Sequence, residues 1–201
     1  MKSIFFALIA FAFLVSSCAE VPDPPAGFSE PFYVSFDFLG EKVLFERDEL
    51  DVLYRFTPGE TATHGFINVF EDERFEVSLT MTFVDALRSV NIRDTKGATL
   101  TSVPGALPGF SLFIVDKLTQ ENYTTELETF DYGPSAFEIE TVDKGEVISY
   151  VSVSSNSRKG RSFVVRGTMS LNVSESVSIP GTLNNRFPIE NGQFSIKVFV
   201  P

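Results

Sequence analysis

One cysteine, one histidine and no tryptophan occur in the 201 residues, and 16 basic side chains face 27 acidic ones. Each scarcity excludes something. A lone Cys18 cannot close an intramolecular disulfide. With His64 as the only imidazole, a histidine-rich zinc site is ruled out by count, and histidine-assisted nucleophilic catalysis would have to run through that one residue. A phosphate-cradling glycine loop is missing, so no nucleotide cofactor is expected; no metal site is expected, with calcium held by the acidic clusters as the alternative. The net charge of −11 repels phosphate backbones and no basic stripe interrupts it, so nucleic acid is not an expected partner.

What is present begins with an export segment. Lys2 precedes twelve consecutive apolar residues, Ile4 to Val15, followed by Ser16, Ser17 and Cys18. A basic start, an apolar run and small boundary residues make a secretory signal over 1–17. Twelve helical residues cover about 18 Å, short of a bilayer core of about 30 Å, so a permanent span is disfavoured. The tetrad Val15-Ser16-Ser17-Cys18 resembles the lipobox of bacterial lipoproteins. That resemblance implies that Cys18 becomes the first mature residue and carries acyl chains. Ala19 at the next position resembles the outer-membrane sorting pattern rather than an Asp retention signal. Multiple chains would anchor the protein stably, at about 0.8 kcal/mol per buried methylene. Four prolines between Ala19 and Pro31 preclude a helix and predict an extended tether over 18–31.

A single domain is expected over 32–201. Phe32, Val34, Phe36 and Phe38 alternate with Tyr33, Ser35 and Asp37; Phe75 to Phe83, Phe163 to Val173 and Phe194 to Val200 repeat the pattern. Period two puts one face on a core and the other in water, as in antiparallel sheets. Turn signals at Gly40-Glu41, Glu71-Asp72-Glu73, Asp143-Lys144-Gly145-Glu146 and Asn156 to Gly160 separate the runs, and Gly167 inside a strand predicts a bulge or close backbone approach. About ten strands are expected, in an all-β antiparallel sandwich or flattened barrel with little helix; Val84 to Val90 is the one ambiguous stretch.

Three short motifs carry a resemblance. Phe36-Asp37-Phe38-Leu39-Gly40-Glu41-Lys42, Gly167-Thr168-Met169-Ser170 and Glu190-Asn191-Gly192-Gln193-Phe194 resemble the opening hairpin and closing strands of small cell-envelope lipoproteins of the Bacteroidetes type. Leu44-Phe45 stands where those proteins carry Trp. The resemblance implies location and architecture, not an activity.

Candidate chemistry is thin. Thr63-His64-Gly65 is expected in a loop, with His64 structural or surface rather than catalytic. The acids Glu46, Asp48, Glu49 and Asp51, the turn Glu71-Asp72-Glu73, and Glu126, Glu128 and Asp131 read as solvated tips and faces. No spaced calcium-loop pattern occurs among them. Phenylalanines at period-two positions read as core, which leaves Tyr123 and Tyr132 as the expected exposed aromatics for binding. The sequence therefore predicts a membrane-anchored, non-catalytic binding or structural module with an envelope protein or surface polysaccharide as partner. A carboxylate-dependent glycan hydrolase is the alternative, since two carboxyls across a cleft would suffice for that chemistry.

Overall fold

Alternation becomes a ladder wherever a neighbouring strand supplies the missing hydrogen bonds. A computed structural model describes residues 23–57, 63–84, 96–101, 109–125, 136–151, 157–175 and 185–200. It contains eleven strands: β1 (Phe32–Phe38), β2 (Glu41–Arg47), β3 (Val52–Thr57), β4 (Thr63–Glu71), β5 (Phe75–Val84), β6 (Thr99–Thr101), β7 (Gly109–Asp116), β8 (Glu121–Thr125), β9 (Ala136–Val151), β10 (Ser157–Glu175) and β11 (Arg186–Val200). All pairings are antiparallel, in the order β2-β1-β11-β10-β8-β7-β5-β4-β3, with β9 beside β10 and β6 beside β9. The ends of the path, β2 and β3, do not pair with each other, so the sheet is not closed into a barrel.

The branch point is β10. One edge pairs with β11 along Arg161 to Ser174; the other is divided, with Ser157 to Ser170 on β9 and Val173 to Glu175 on β8. Among the described residues, three residue pairs between β10 and β8 join one half, β2-β1-β11-β10 with β9 and β6, to the other, β8-β7-β5-β4-β3, and the two halves face each other across the interior. Ring contacts cross the interior: Phe38 meets Phe75 at 6.3 Å, Phe45 meets Phe70 at 6.4 Å, Phe66 meets Phe199 at 4.9 Å and Phe110 meets Phe194 at 5.0 Å. Phe suits this interior because it contributes about 1.5–3 kcal/mol per buried side chain and brings no polar atom to satisfy. Phe194, Ile196 and Val198, expected in the core, are fully buried.

Local turns follow their residues only in part. Leu39 (φ 53°) and Gly40 (φ 78°) close the β1–β2 hairpin as a two-residue loop with both residues left-handed, the geometry that matches strand twist. Asp72 closes the β4–β5 corner by accepting from the amides of Arg74 and Phe75, both at 2.7 Å. By contrast, Asp143-Lys144-Gly145-Glu146 is not a turn. β9 runs straight through it, and Arg161 faces Val147 while Phe163 faces Lys144, so β9 spends three residues against two in a bulge. Gly145 lies against Ser162 there. The long ladder of β10 overrides the local turn chemistry. Ser157 to Gly160, expected in the next hairpin, already belong to β10, where Ser157 pairs with Val151; 152–156 lie outside the described residues. Val84 ends β5, and the rest of the ambiguous stretch, 85–90, is likewise outside them.

Candidate functional site

Antiparallel register arranges outward side chains in rows across β2, β1, β11, β10 and β9. One row reads Leu44, Ser35, Gln193, Thr168, Glu138; the next reads Glu46, Tyr33, Ser195, Arg166, Thr141. Their neighbours along each strand, such as Phe36, Phe194 and Phe137, fill the core on the other side. Arg166 is nearly buried in this outer layer and pairs with Asp143 at 2.9 Å.

A bulge breaks the rows at one place. Ser35 faces Gln193 and Asp37 faces Glu190; Met169 faces Gly192 and Leu171 faces Ile189. Both neighbours therefore give two residues to three on β11. Asn191 takes the left-handed conformation (φ 52°) that such a bulge demands, and its Nδ2 donates to Asp37 Oδ2 at 2.6 Å. Gly192 lies on Met169 with no space for a Cβ. Two open depressions meet at Asn191 and Gln193. One, ≈ 470 Å³, reaches Glu138, Thr168 and Ser170; the other, ≈ 450 Å³, reaches Ser35, Asp37, Lys42 and Leu44.

Ala26, Gly27 and Phe28 form a wall of the second depression. Phe28 stacks on Tyr33 with centroids 3.6 Å apart and planes 10° from parallel. The Ser29 amide donates to Glu46 Oε1 at 2.6 Å, and Ser195 Oγ donates to the Pro31 carbonyl at 2.6 Å. The described end of the proline-rich stretch, expected as an extended tether, also lies as a strap on the sheet through Phe28 to Pro31. It covers Tyr33, and the loss of water raises that phenol's pKa; the Arg166 charge opposes the shift and Glu140 adds to it.

The residues singled out from sequence are placed elsewhere. Tyr123, expected exposed, is a correction: it sits in β8 at 2% exposure, against Phe38 at 5.0 Å and Phe187 at 5.2 Å. Period two puts Asn122 and Thr124 outward and turns this ring inward, where no ligand can stack on it. Its hydroxyl donates to Glu121 Oε2 at 2.7 Å, and burial, then that hydrogen bond, raise its pKa. Tyr132 and the lipid-attachment residue Cys18 lie outside the described residues. His64 is not in a loop but in β4, buried in the other half of the molecule, with Nδ1 2.5 Å from Tyr54 Oη and the Phe56 ring 5.1 Å away.

Several of the acids have structural partners. Glu71 pairs with Lys117 at 2.9 Å, and that hydrogen bond and charge hold its carboxyl below the usual range. Arg74 bridges Glu41 and buried Asp116, joining the β1–β2 hairpin to the β4–β5 corner. Asp48 Oδ1 accepts from the Glu49 amide at 2.8 Å. Glu126, Glu128 and Asp131 lie outside the described residues. Among the described residues, no three His, Cys, Asp or Glu side chains gather as metal ligands would.

Asn191 and Gln193 were not legible as site residues. The Asn191-Gly192 pair is a turn signal, and here pairing with β1 on one side and β10 on the other converts it into a bulge. No protein-family model matches the chain, and no curated protein or solved structure is significantly similar to it.

Proposed function

We propose that this chain is a lipoprotein of a bacterial cell envelope, held in the outer membrane through Cys18, and that its domain is a non-catalytic binding module. The observation that carries the reading is the polar double depression around Asn191 and Gln193, on the outer face of β2-β1-β11-β10-β9. Ser35, Thr168, Ser170, Asn191 and Gln193 bring hydroxyls and amides to its lining, beside the charged Asp37, Lys42 and Glu138, which suits hydrogen-bonded recognition. Of its two carboxylates, Asp37 is tied to Asn191. The lone imidazole stands in the opposite half.

Two arms test the proposal on the full chain. Cys18→Ser should abolish acylation and stable membrane partitioning; unchanged partitioning would sink the anchor. A photo-crosslinking side chain at Gln193 should capture envelope material, and one at exposed Leu53 in β3 should not. Equal capture at both positions, or turnover of a glycan or ester that vanishes with Asp37→Asn or Glu138→Gln, would overturn the binding-module reading.

A further inference from the structure

We infer that the two depressions form one site for an uncharged glycan chain, with Phe28 of the N-terminal strap as its aromatic wall. This rests on the binding-module reading and names the ligand class.

Chemistry of the lining comes first. Ser35, Thr168, Ser170, Asn191 and Gln193 offer hydroxyls and amides that both donate and accept, the inventory that sugar hydroxyls require. Charge comes second. The chain carries −11, the site's cation Lys42 faces Asp37 across the β1–β2 ladder, and Glu138 adds a negative charge. An anionic polymer would be repelled from such a surface. An extended peptide is disfavoured for a different reason. Backbone groups under the depressions are already paired between neighbouring strands, so no strand can be added there.

Shape supplies the remaining argument. Leu44, Ser35, Gln193, Thr168 and Glu138 stand in one row over five adjacent strands. Four interstrand spacings of about 4.8 Å give a run of about 19 Å, long enough for several sugar rings laid across the strands. Phe28 flanks the β1 part of this run from the neighbouring row, its plane held nearly parallel to the Tyr33 ring on which it stacks. A ring held in this way offers an apolar face to the C–H side of a pyranose without losing side-chain freedom on binding. The strap therefore has a second role: the segment that leads to the lipid anchor also completes the site.

The test presents detergent-solubilised full-length protein to arrayed uncharged oligosaccharides, with an anionic polysaccharide alongside, at low and high salt. Binding to a neutral glycan, insensitive to salt, is expected. Gln193→Ala and Phe28→Ala should each weaken it about tenfold, while Leu53→Ala leaves it unchanged; Gln193→Ala and Leu53→Ala should keep the parent melting transition, and Phe28→Ala should lower it slightly through the lost Tyr33 stack while still melting cooperatively. Failure on every neutral glycan, with crosslinks at position 193 retained, would overturn the glycan and leave the binding module standing. Salt-sensitive binding of the anionic polymer alone would replace the ligand class, and equal affinity of the variants would remove the site. Loss of both crosslinks and glycan binding would end both readings.

Discussion

Asn191 and Asp37 lie 154 residues apart in the chain and meet through a 2.6 Å hydrogen bond from Nδ2 to Oδ2. The bond joins the bulge of the last strand to the first hairpin, and it holds Asn191 where the two depressions touch. Two separable contributions follow. A left-handed residue other than Gly costs about 1–2 kcal/mol, and a hydrogen bond to a charged group contributes about 1.5–3 kcal/mol. Asn191→Gly should relieve the first while losing the second; Asn191→Ala should lose the bond and keep the strain. Urea denaturation should therefore rank Asn191→Ala below Asn191→Gly. The reverse order would show that the bulge does not depend on this conformation.

Gly167 is the tightest point of the sheet. A Cβ there would collide with the Glu138 carbonyl oxygen and press on the Phe194 ring. The collision is with backbone, which cannot swing aside, so Gly167→Ala should destabilise by about 1–3 kcal/mol or more. Thermal melting would check it. A melting temperature unchanged from the parent would contradict the β9–β10 register.

The last strand is central, not peripheral. β11 lies between β1 and β10, so its loss would also strand β1 and β2. Phe194→Ala should cost about 3–5 kcal/mol by leaving a cavity against Phe110 and Phe137. A chain ending at Glu190 should not fold cooperatively, given total stabilities of about 5–15 kcal/mol. Calorimetry showing a single intact transition for that truncation would contradict this.

Alkaline pH offers a separate probe. Burial raises the phenols of Tyr33 and Tyr123 above the ordinary value of 10.0. Because the folded-state values exceed the unfolded ones, their contribution to stability is fully present below about pH 10 and is lost as pH rises through the folded values. Ultraviolet titration of the five tyrosines should thus show a late class that ionises together with unfolding. Phe28→Ala should bring Tyr33 forward without moving Tyr123. Simultaneous ionisation of all five in the folded protein would refute both burial and strap.

Period-two Phe and Val series determined, by themselves, that the chain is all-β and antiparallel, and which residues line the inner face; the opposite face, expected in water, is buried at Tyr33, Ser35, Val164 and Ser195, which only the tertiary structure decided. The series did so because side-chain alternation is a local property of an extended backbone. A hairpin at Gly40 and the close approach at Gly167 were legible for the same reason, since each depends on one or two residues and their allowed torsions; the turn itself is Leu39-Gly40, one residue before the expected Gly40-Glu41.

Other features waited for the tertiary structure. Asp143-Lys144-Gly145-Glu146 has the residues of a turn, and only the 19-residue β10 beside it makes it a bulge. Tyr123 reads as a polar-flanked aromatic until its strand is placed over Phe38. The proline-rich stretch reads as a spacer until Phe28 meets Tyr33. The candidate site itself draws Ser35, Asp37, Glu138, Thr168, Asn191 and Gln193 from four strands. Strand order and register decide such a meeting, and both arise from long-range pairing, which no local propensity encodes.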